Sequence, residues 1–391
     1  MKAMFMQASG RNVGGAIAAM ATALYLATPT LLSAATAERG SFGTLPDGQA
    51  VESVTLTGED GVSAVIITYG ATLQAFNVPD RDGNVADVTI GYDRLQDFID
   101  KPNYWGQTIG RYANRIADGR FALDGKDYQI SQNDGTNTLH GGTLGFDKRN
   151  WRIQSVRQQG KIASVTMTLR SADGDQGYPG QLDVTVTYSL DDHGSLTIDF
   201  GAKSDRPTIV NLTNHALFNM AGEGSPYGTY GQRLTIPAAR YTPVNEKLIP
   251  TGELRPVTGT VFDFTTGRML SDGIRNGRDP QIAIARGWDH NWVLDKGRTE
   301  KPGLAARLED PRSGRVLEVL STEPGLQFYS GNFLTGELTG KNGHVYRMSD
   351  GIALEPQLFP DTPNQPDFGS ARVEPGKPYR HRMIYRVSTD R

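Results

Sequence analysis

The sequence predicts an all-β protein, a large antiparallel β-sandwich, and three observations carry that prediction. Apolar and polar residues alternate with period two, 46 Gly and 21 Pro demand frequent turns, and no long stretch repeats apolar residues at helical spacing. Alternation is clean in four segments. Val54 and Leu56 share a face in Ser53 to Thr57, and Val165, Met167 and Leu169 oppose Thr166 and Thr168. Leu182, Val184, Val186 and Tyr188 oppose Asp183, Thr185 and Thr187, while Leu196, Ile198 and Phe200 oppose Thr197 and Asp199. Successive strand side chains point to opposite faces, so each segment offers one face to a core and the other to water. Turns are expected at Asp82-Gly83-Asn84, Asp124-Gly125-Lys126 and Asp192-His193-Gly194, with a single short helix over Leu95 to Asp100.

Residues 1–37 read as a secretory signal peptide. Lys2 and Arg11 make a basic start, Val13 to Leu26 is Ala-rich and apolar, Pro29 breaks that run, and Ala35-Thr36-Ala37 offers a small-x-small cleavage site after Ala37. An uncleaved membrane anchor reaching toward Leu32 is the competing reading, weakened by Gly14, Gly15, Thr22, Thr28 and Pro29 within it. A periplasmic or secreted protein, free of the membrane once cleaved, is expected. Beyond residue 40 there is no fixed-period repeat, low-complexity linker or charge block, so 38–391 is expected to form a single domain.

Composition narrows the chemistry. With no Cys, thiol nucleophiles, cysteine metal sites and disulfides are excluded, and stability has to come from a buried core. A net charge of -3 supplies no basic field for nucleic acid or anionic lipid, which leaves a neutral small molecule as the expected partner. The 6 His are scattered without metal-ligand spacing, so no metal site is expected. A Gly-x-Ser-x-Gly elbow, a phosphate loop and a dinucleotide fingerprint are all missing, and no cofactor is expected.

Polar candidates concentrate in loops and strand ends. In Gly351 to Phe368, Ile352 and Leu354 occupy one strand face and Ala353 and Glu355 the other. Pro356 is expected to stop regular pairing where the carboxylate appears. An isolated strand Glu is usually solvent-facing, but at a strand end beside a rigid Pro-rich loop it also suits a catalytic base. In Gly110-Arg111-Tyr112-Ala113-Asn114-Arg115-Ile116 the two Arg are either surface charges or, through Asn114 and Arg115, a fork of donors for sugar hydroxyls. Two glycines after His140 let the backbone turn sharply and bring the imidazole close to a ligand. Asn211-Leu212-Thr213-Asn214-His215 follows an apolar strand over Thr208 to Leu212 and is either a satisfied buried network or a site. Asp289, set between Trp288 and Trp292, either caps a turn at a core strand or accepts from sugar hydroxyls while an aromatic ring covers the sugar's apolar face. Gln327 sits between apolar neighbours and can donate and accept at once.

Together these blocks resemble the aldose 1-epimerase (galactose mutarotase) family, in the order TIGRYANRIA, TNTLHGG, NLTNHALFN, WDHNWVL with EPGLQFYSGNFL, and IALEPQLFPDTPNQPDF. The resemblance covers essentially the whole chain after the leader. It implies a large mutarotase-like β-sandwich with an open sugar cleft, and cofactor-free interconversion of the α and β anomers of free aldohexoses. By resemblance, Glu355 matches the general base and His215 the general acid, while Asn114, Arg115, His140, Asp289 and Gln327 match substrate-binding positions. Leu217 stands where relatives often carry Tyr and Pro356 where they often carry Thr; both departures bear on sugar preference more than on proton chemistry. Two other readings remain: a glycoside hydrolase using Asp289 and Glu355 as its carboxylate pair, or a non-catalytic sugar-binding sandwich.

Overall fold

The computed structural model describes Gly10 and residues 35–390 apart from Asp60. Most of the expected signal peptide lies outside the described residues. Of its expected cleavage site, Ala35 and Ala37 are buried in the main core, and Thr36–Thr44 forms the first described strand.

Three large antiparallel sheets dominate the described residues, with five two-stranded ladders beside them. A five-stranded sheet runs in sequence order from Thr36–Thr44 to Val85–Asp87. A nine-stranded sheet starts at Arg152–Gln159 and proceeds by hairpins through Leu182–Asp191 and Ser195–Ser204. The strand Tyr379–Thr389 then inserts between Ser195–Ser204 and Arg315–Ser321 and joins the two halves of that sheet. The third sheet has six strands in the order Leu217–Phe218, Ile352–Gln357, Gly325–Tyr329, Asp289–Val293, Arg240–Thr242 and Arg255–Pro256.

Local chemistry sets these elements as the alternation predicts. Leu182–Asp191 alternates buried and half-exposed residues along its length, and Asp191 bends the chain into the next strand by accepting from the backbone N–H groups of His193 and Ser195. The expected turns at Gly83, Gly125 and Gly194 all have positive φ, and Leu95–Asp100 is the short helix, burying Leu95 and Phe98. Inward residues of the nine-stranded sheet, among them Val186, Ile198, Leu317 and Tyr385, share one core with Leu326, Phe328, Ile352 and Leu354 of the six-stranded sheet. Full burial of each such aliphatic or aromatic side chain stabilises the fold by about 1.5–3 kcal/mol.

Two strand expectations fail. The strand predicted over Thr208 to Leu212 is ladder-paired only at Thr208–Ile209. Pairing also runs through Pro356, which lies opposite Leu326, and on to Gln357 opposite Gly325. The neighbouring strand on the other side spans only Leu217–Phe218, opposite Ala353 and Ile352, so the missing Pro356 donor removes no ladder bond there.

Candidate active site

The six-stranded sheet turns one face to the core and the other to a cavity of about 200 Å³. Register decides which residues share that second face. Leu217, Ala353, Tyr329 and Asp289 form one cross-strand row, and Glu355, Gln327 and Asn291 form the next. Loops complete the enclosure with Asn103, Tyr104, Trp105, Asn114, Arg115, His140 and His215. Of the seven residues singled out by sequence, six line the cavity, and the seventh, Gln327, reaches it through Asp289, donating from Nε2 to Oδ1 at 2.7 Å.

His215 is carried by a short ladder. Thr213–Asn214 pairs with Thr108–Ile109, and the His215 backbone N–H donates to the Gln107 carbonyl while its own carbonyl accepts from Gly106. This fixes the imidazole with Nε2 3.5 Å from Glu355 Oε1. Both side chains are buried, with Glu355 1 % and His215 7 % exposed. Burial pushes the Glu355 carboxyl well above its usual range, with Asp289 adding to the shift and Arg115 opposing it. Burial likewise pulls the His215 imidazole down to about 4, partly offset by the backbones of His215 and Tyr104.

His140 and Asn114 hold each other. The Asn114 N–H donates to His140 Nδ1 at 3.1 Å, which leaves the protonated Nε2 as the imidazole's donor. His140 itself has φ 53°, so the sharp turn begins on the imidazole residue, and Gly141 is needed beside it because a Cβ there would lie 2.0 Å from the Gly110 carbonyl oxygen. Arg115 donates from Nε to Asp134 at 2.8 Å and brings Nη1 to 3.8 Å from Asp289. The Asp289 carboxyl is raised by burial and lowered by Arg115 and Gln327.

Several sequence expectations need correction. Arg111 is neither a surface charge nor a ligand group: it is 2 % exposed and donates to Pro179, Gly180, Ser171 and Ala172, tying loops together. Trp288 and Trp292 do not cover a ligand, because they alternate with Asp289 onto the opposite face and pack on Phe264 and Phe328 in the core. Tyr104, Trp105, Tyr329 and Phe333 are the aromatic residues that line the cavity, and sequence reasoning did not name them. Tyr329 was within reach, being two residues from Gln327 on the same strand face. Nor are all the histidines apart. Distance along the chain concealed a meeting of His140, His215 and Glu355, which bring one ligand atom each within 4.8 Å of one another. That cluster is compact enough to enclose a small cation, and Arg115 adds positive charge close to both His140 and Glu355.

The arrangement pairs a carboxyl raised well above its usual range with an imidazole lowered to about 4, inside a pocket rich in hydroxyl-matching donors and acceptors. Similarity to known proteins runs along most of the chain. The family model described as aldose 1-epimerase matches residues 52–386. Galactose mutarotase of Mus musculus is 43% identical over 350 residues, covering 90% of this chain and 98% of that one, and aldose 1-epimerase of Escherichia coli (strain K12) is 38% identical over 339 residues, 85% and 94% of the two chains. The crystal structure of galactose 1-epimerase from Lactobacillus acidophilus NCFM superposes with a TM-score of 0.80 at 27% identity, over 91% of this chain and 100% of that one. On fold, length and sequence, the chain belongs to the aldose 1-epimerase family.

Proposed function

We propose that this cavity interconverts the α and β anomers of a free aldose, with Glu355 and His215 as the groups that move the protons. Their 3.5 Å approach at a shared cavity is the observation that carries the reading. Opening a pyranose removes the proton of the anomeric hydroxyl and protonates the ring oxygen, giving a C1 aldehyde and a C5 alcohol. Rotation about C1–C2 exposes the other carbonyl face, and reclosure reverses both transfers. Glu355 takes the anomeric proton and His215 supplies the ring-oxygen proton, so the pair begins and ends a turnover holding one proton between them.

Burial suits this exchange. Between about pH 4, where His215 gains a proton, and the raised value of Glu355, the pair holds one proton whichever atom carries it. Each positioned transfer is worth about 10²- to 10⁴-fold. Arg115 and His140 stabilise charge developing on oxygen, and Asn114, Asp289 and Gln327 bind hydroxyls. A volume of about 200 Å³ lies below the usual span of drug-sized pockets, which favours one monosaccharide over an oligosaccharide. The relatives bear epimerase and mutarotase names, which leaves the hydrolase and lectin readings without support.

Polarimetry of freshly dissolved α-D-glucose or α-D-galactose tests the assignment. Wild type is expected to accelerate mutarotation and Glu355→Gln to lose most of that acceleration; equal rates from the two proteins would sink the base. The signal-peptide and periplasmic readings, with 38–391 as the mature domain, rest on the basic, apolar and small-residue pattern of the N-terminus. N-terminal sequencing of protein recovered from the periplasm is expected to begin at Glu38.

A further inference from the structure

The face that carries Glu355 continues past the cavity to two amides, Asn291 and Gln357, that the proposed chemistry leaves unused. Glu355, Gln327 and Asn291 stand directly opposite one another on three adjacent strands, and Gln357 lies two residues beyond Glu355 on the same face, opposite Gly325. All four side chains are buried, at 2 % exposure or less. Six of their atoms have no protein partner: Glu355 Oε2, Gln327 Oε1, and both amide atoms of Asn291 and of Gln357.

Such a concentration is unusual, because buried polar atoms are nearly always paired. The surroundings obey that rule. Thr213 donates to the Pro356 carbonyl, while Asn211 accepts from the Leu358 N–H and donates to the Ala113 carbonyl. Gly325 lets Asn291 and Gln357 approach the strand closely, since a Cβ there would lie 2.4 Å from Asn291 Oδ1 and 2.8 Å from Phe359 Cδ1. Two primary amides present donors and acceptors in equal measure, the pattern that buried water satisfies and an apolar ligand does not.

We propose that Asn291 and Gln357, beside Gly325, form a water-holding annex behind the catalytic base, in which ordered water donates a hydrogen bond to Glu355 Oε2 and fixes the carboxylate for proton transfer through Oε1. Asn291 and Gln357 are thus positioning residues, and the inference rests on Glu355 being the base. Water donating to Oε2 favours the ionised carboxylate, and so does Arg115. Asp289 and burial oppose it, while His215 faces Oε1, His140 closes the same cluster, and Tyr385 approaches from the nine-stranded sheet.

The test compares wild type with Gln357→Met and Asn291→Leu, near-isosteric changes that cannot hold water, and with the polar control Gln357→Asn. Mutarotation of α-D-galactose is followed by polarimetry from pH 4 to 10. Each apolar variant is expected to lower kcat about 10-fold with KM within about 3-fold, and to move the limb that reports Glu355 up by about one pH unit, the shift equivalent to that tenfold change. Gln357→Asn is expected to recover most of both. Folded apolar variants with an unshifted pH profile overturn the inference. Should those variants not fold, a high-resolution crystal structure of wild type decides: water within hydrogen-bond distance of both Glu355 Oε2 and an amide of Asn291 or Gln357 supports the annex, and finding no such water overturns it. A wild type without mutarotase activity would instead remove the functional reading, and the crystal structure would still decide whether the annex holds water.

Discussion

Among the described residues, two regions bury a glutamate and a histidine, and they differ in how each imidazole is bonded. In the cavity, Glu355 and His215 face each other, Glu355 keeps Oε2 unpaired, and His215 Nδ1 lacks a hydrogen bond of normal geometry. At the seam between Arg315–Ser321 and Tyr379–Thr389, His381 Nδ1 donates to the Leu212 carbonyl at 2.9 Å, Nε2 meets Ser321 Oγ at 3.0 Å, and Phe200 stacks on the ring. Glu323 beside it is pushed up to about 7 by burial, and an open concavity of about 940 Å³ is lined in part by His381 and Thr322. Perturbed titration and a nearby hollow therefore occur in both places. What separates them is the imidazole: His381 has spent its hydrogen-bonding capacity on the fold, whereas His215 retains capacity that a ligand can use.

The strongest test substitutes both histidines in turn. His215→Gln is expected to lower kcat for mutarotation about 10²- to 10⁴-fold. His381→Gln should leave kcat within about twofold, yet lower stability by about 1–3 kcal/mol in urea unfolding, since Ser321 and the Leu212 carbonyl lose a fitted partner. Comparable activity losses would erase the distinction. Arg115→Met is expected to reduce kcat about 10²- to 10³-fold, the usual loss for one preorganised donor to developing charge, while Arg111→Met destabilises the fold without a specific effect on kcat.

pH sharpens the contrast further. Activity should form a broad plateau, falling on the acid side as pH drops through about 4, where the His215–Glu355 pair takes a second proton, and on the basic side above the raised Glu355 value. A kcat/KM profile whose acid limb has its midpoint near 6.5 would contradict this. Glu323 instead acts on stability. Its folded value of about 7 exceeds the 4.5 of a free glutamate, so its contribution is complete below 4.5 and is lost as pH rises through about 7. The loss is on the order of 3 kcal/mol by linkage, and Glu323→Gln should flatten it in denaturation curves taken at pH 5 and pH 8.

Much of the fold was legible because its signals are local. Alternation in Leu182 to Tyr188, the Asp-Gly and His-Gly turns, and the helix over Leu95 to Asp100 depend on neighbours within a few residues, and they appear where expected. Strand limits were less legible. Pairing through Pro356 depends on how short the neighbouring Leu217–Phe218 strand is, a fact stored more than a hundred residues away.

The same division runs through the site. The sequence by itself determined the all-β architecture, the face shared by Ala353 and Glu355, and the seven side chains set apart as candidate polar groups, because strand period and residue chemistry are properties of short stretches. Tertiary structure alone decided that Asp289 faces the cavity while Trp288 and Trp292 face the core, that Arg111 ties loops while Arg115 reaches Asp289, and that His140 and His215 meet at Glu355. Period two separates the two faces of a strand, but which face meets the cavity is fixed by the strands and loops that pack against it from distant parts of the chain.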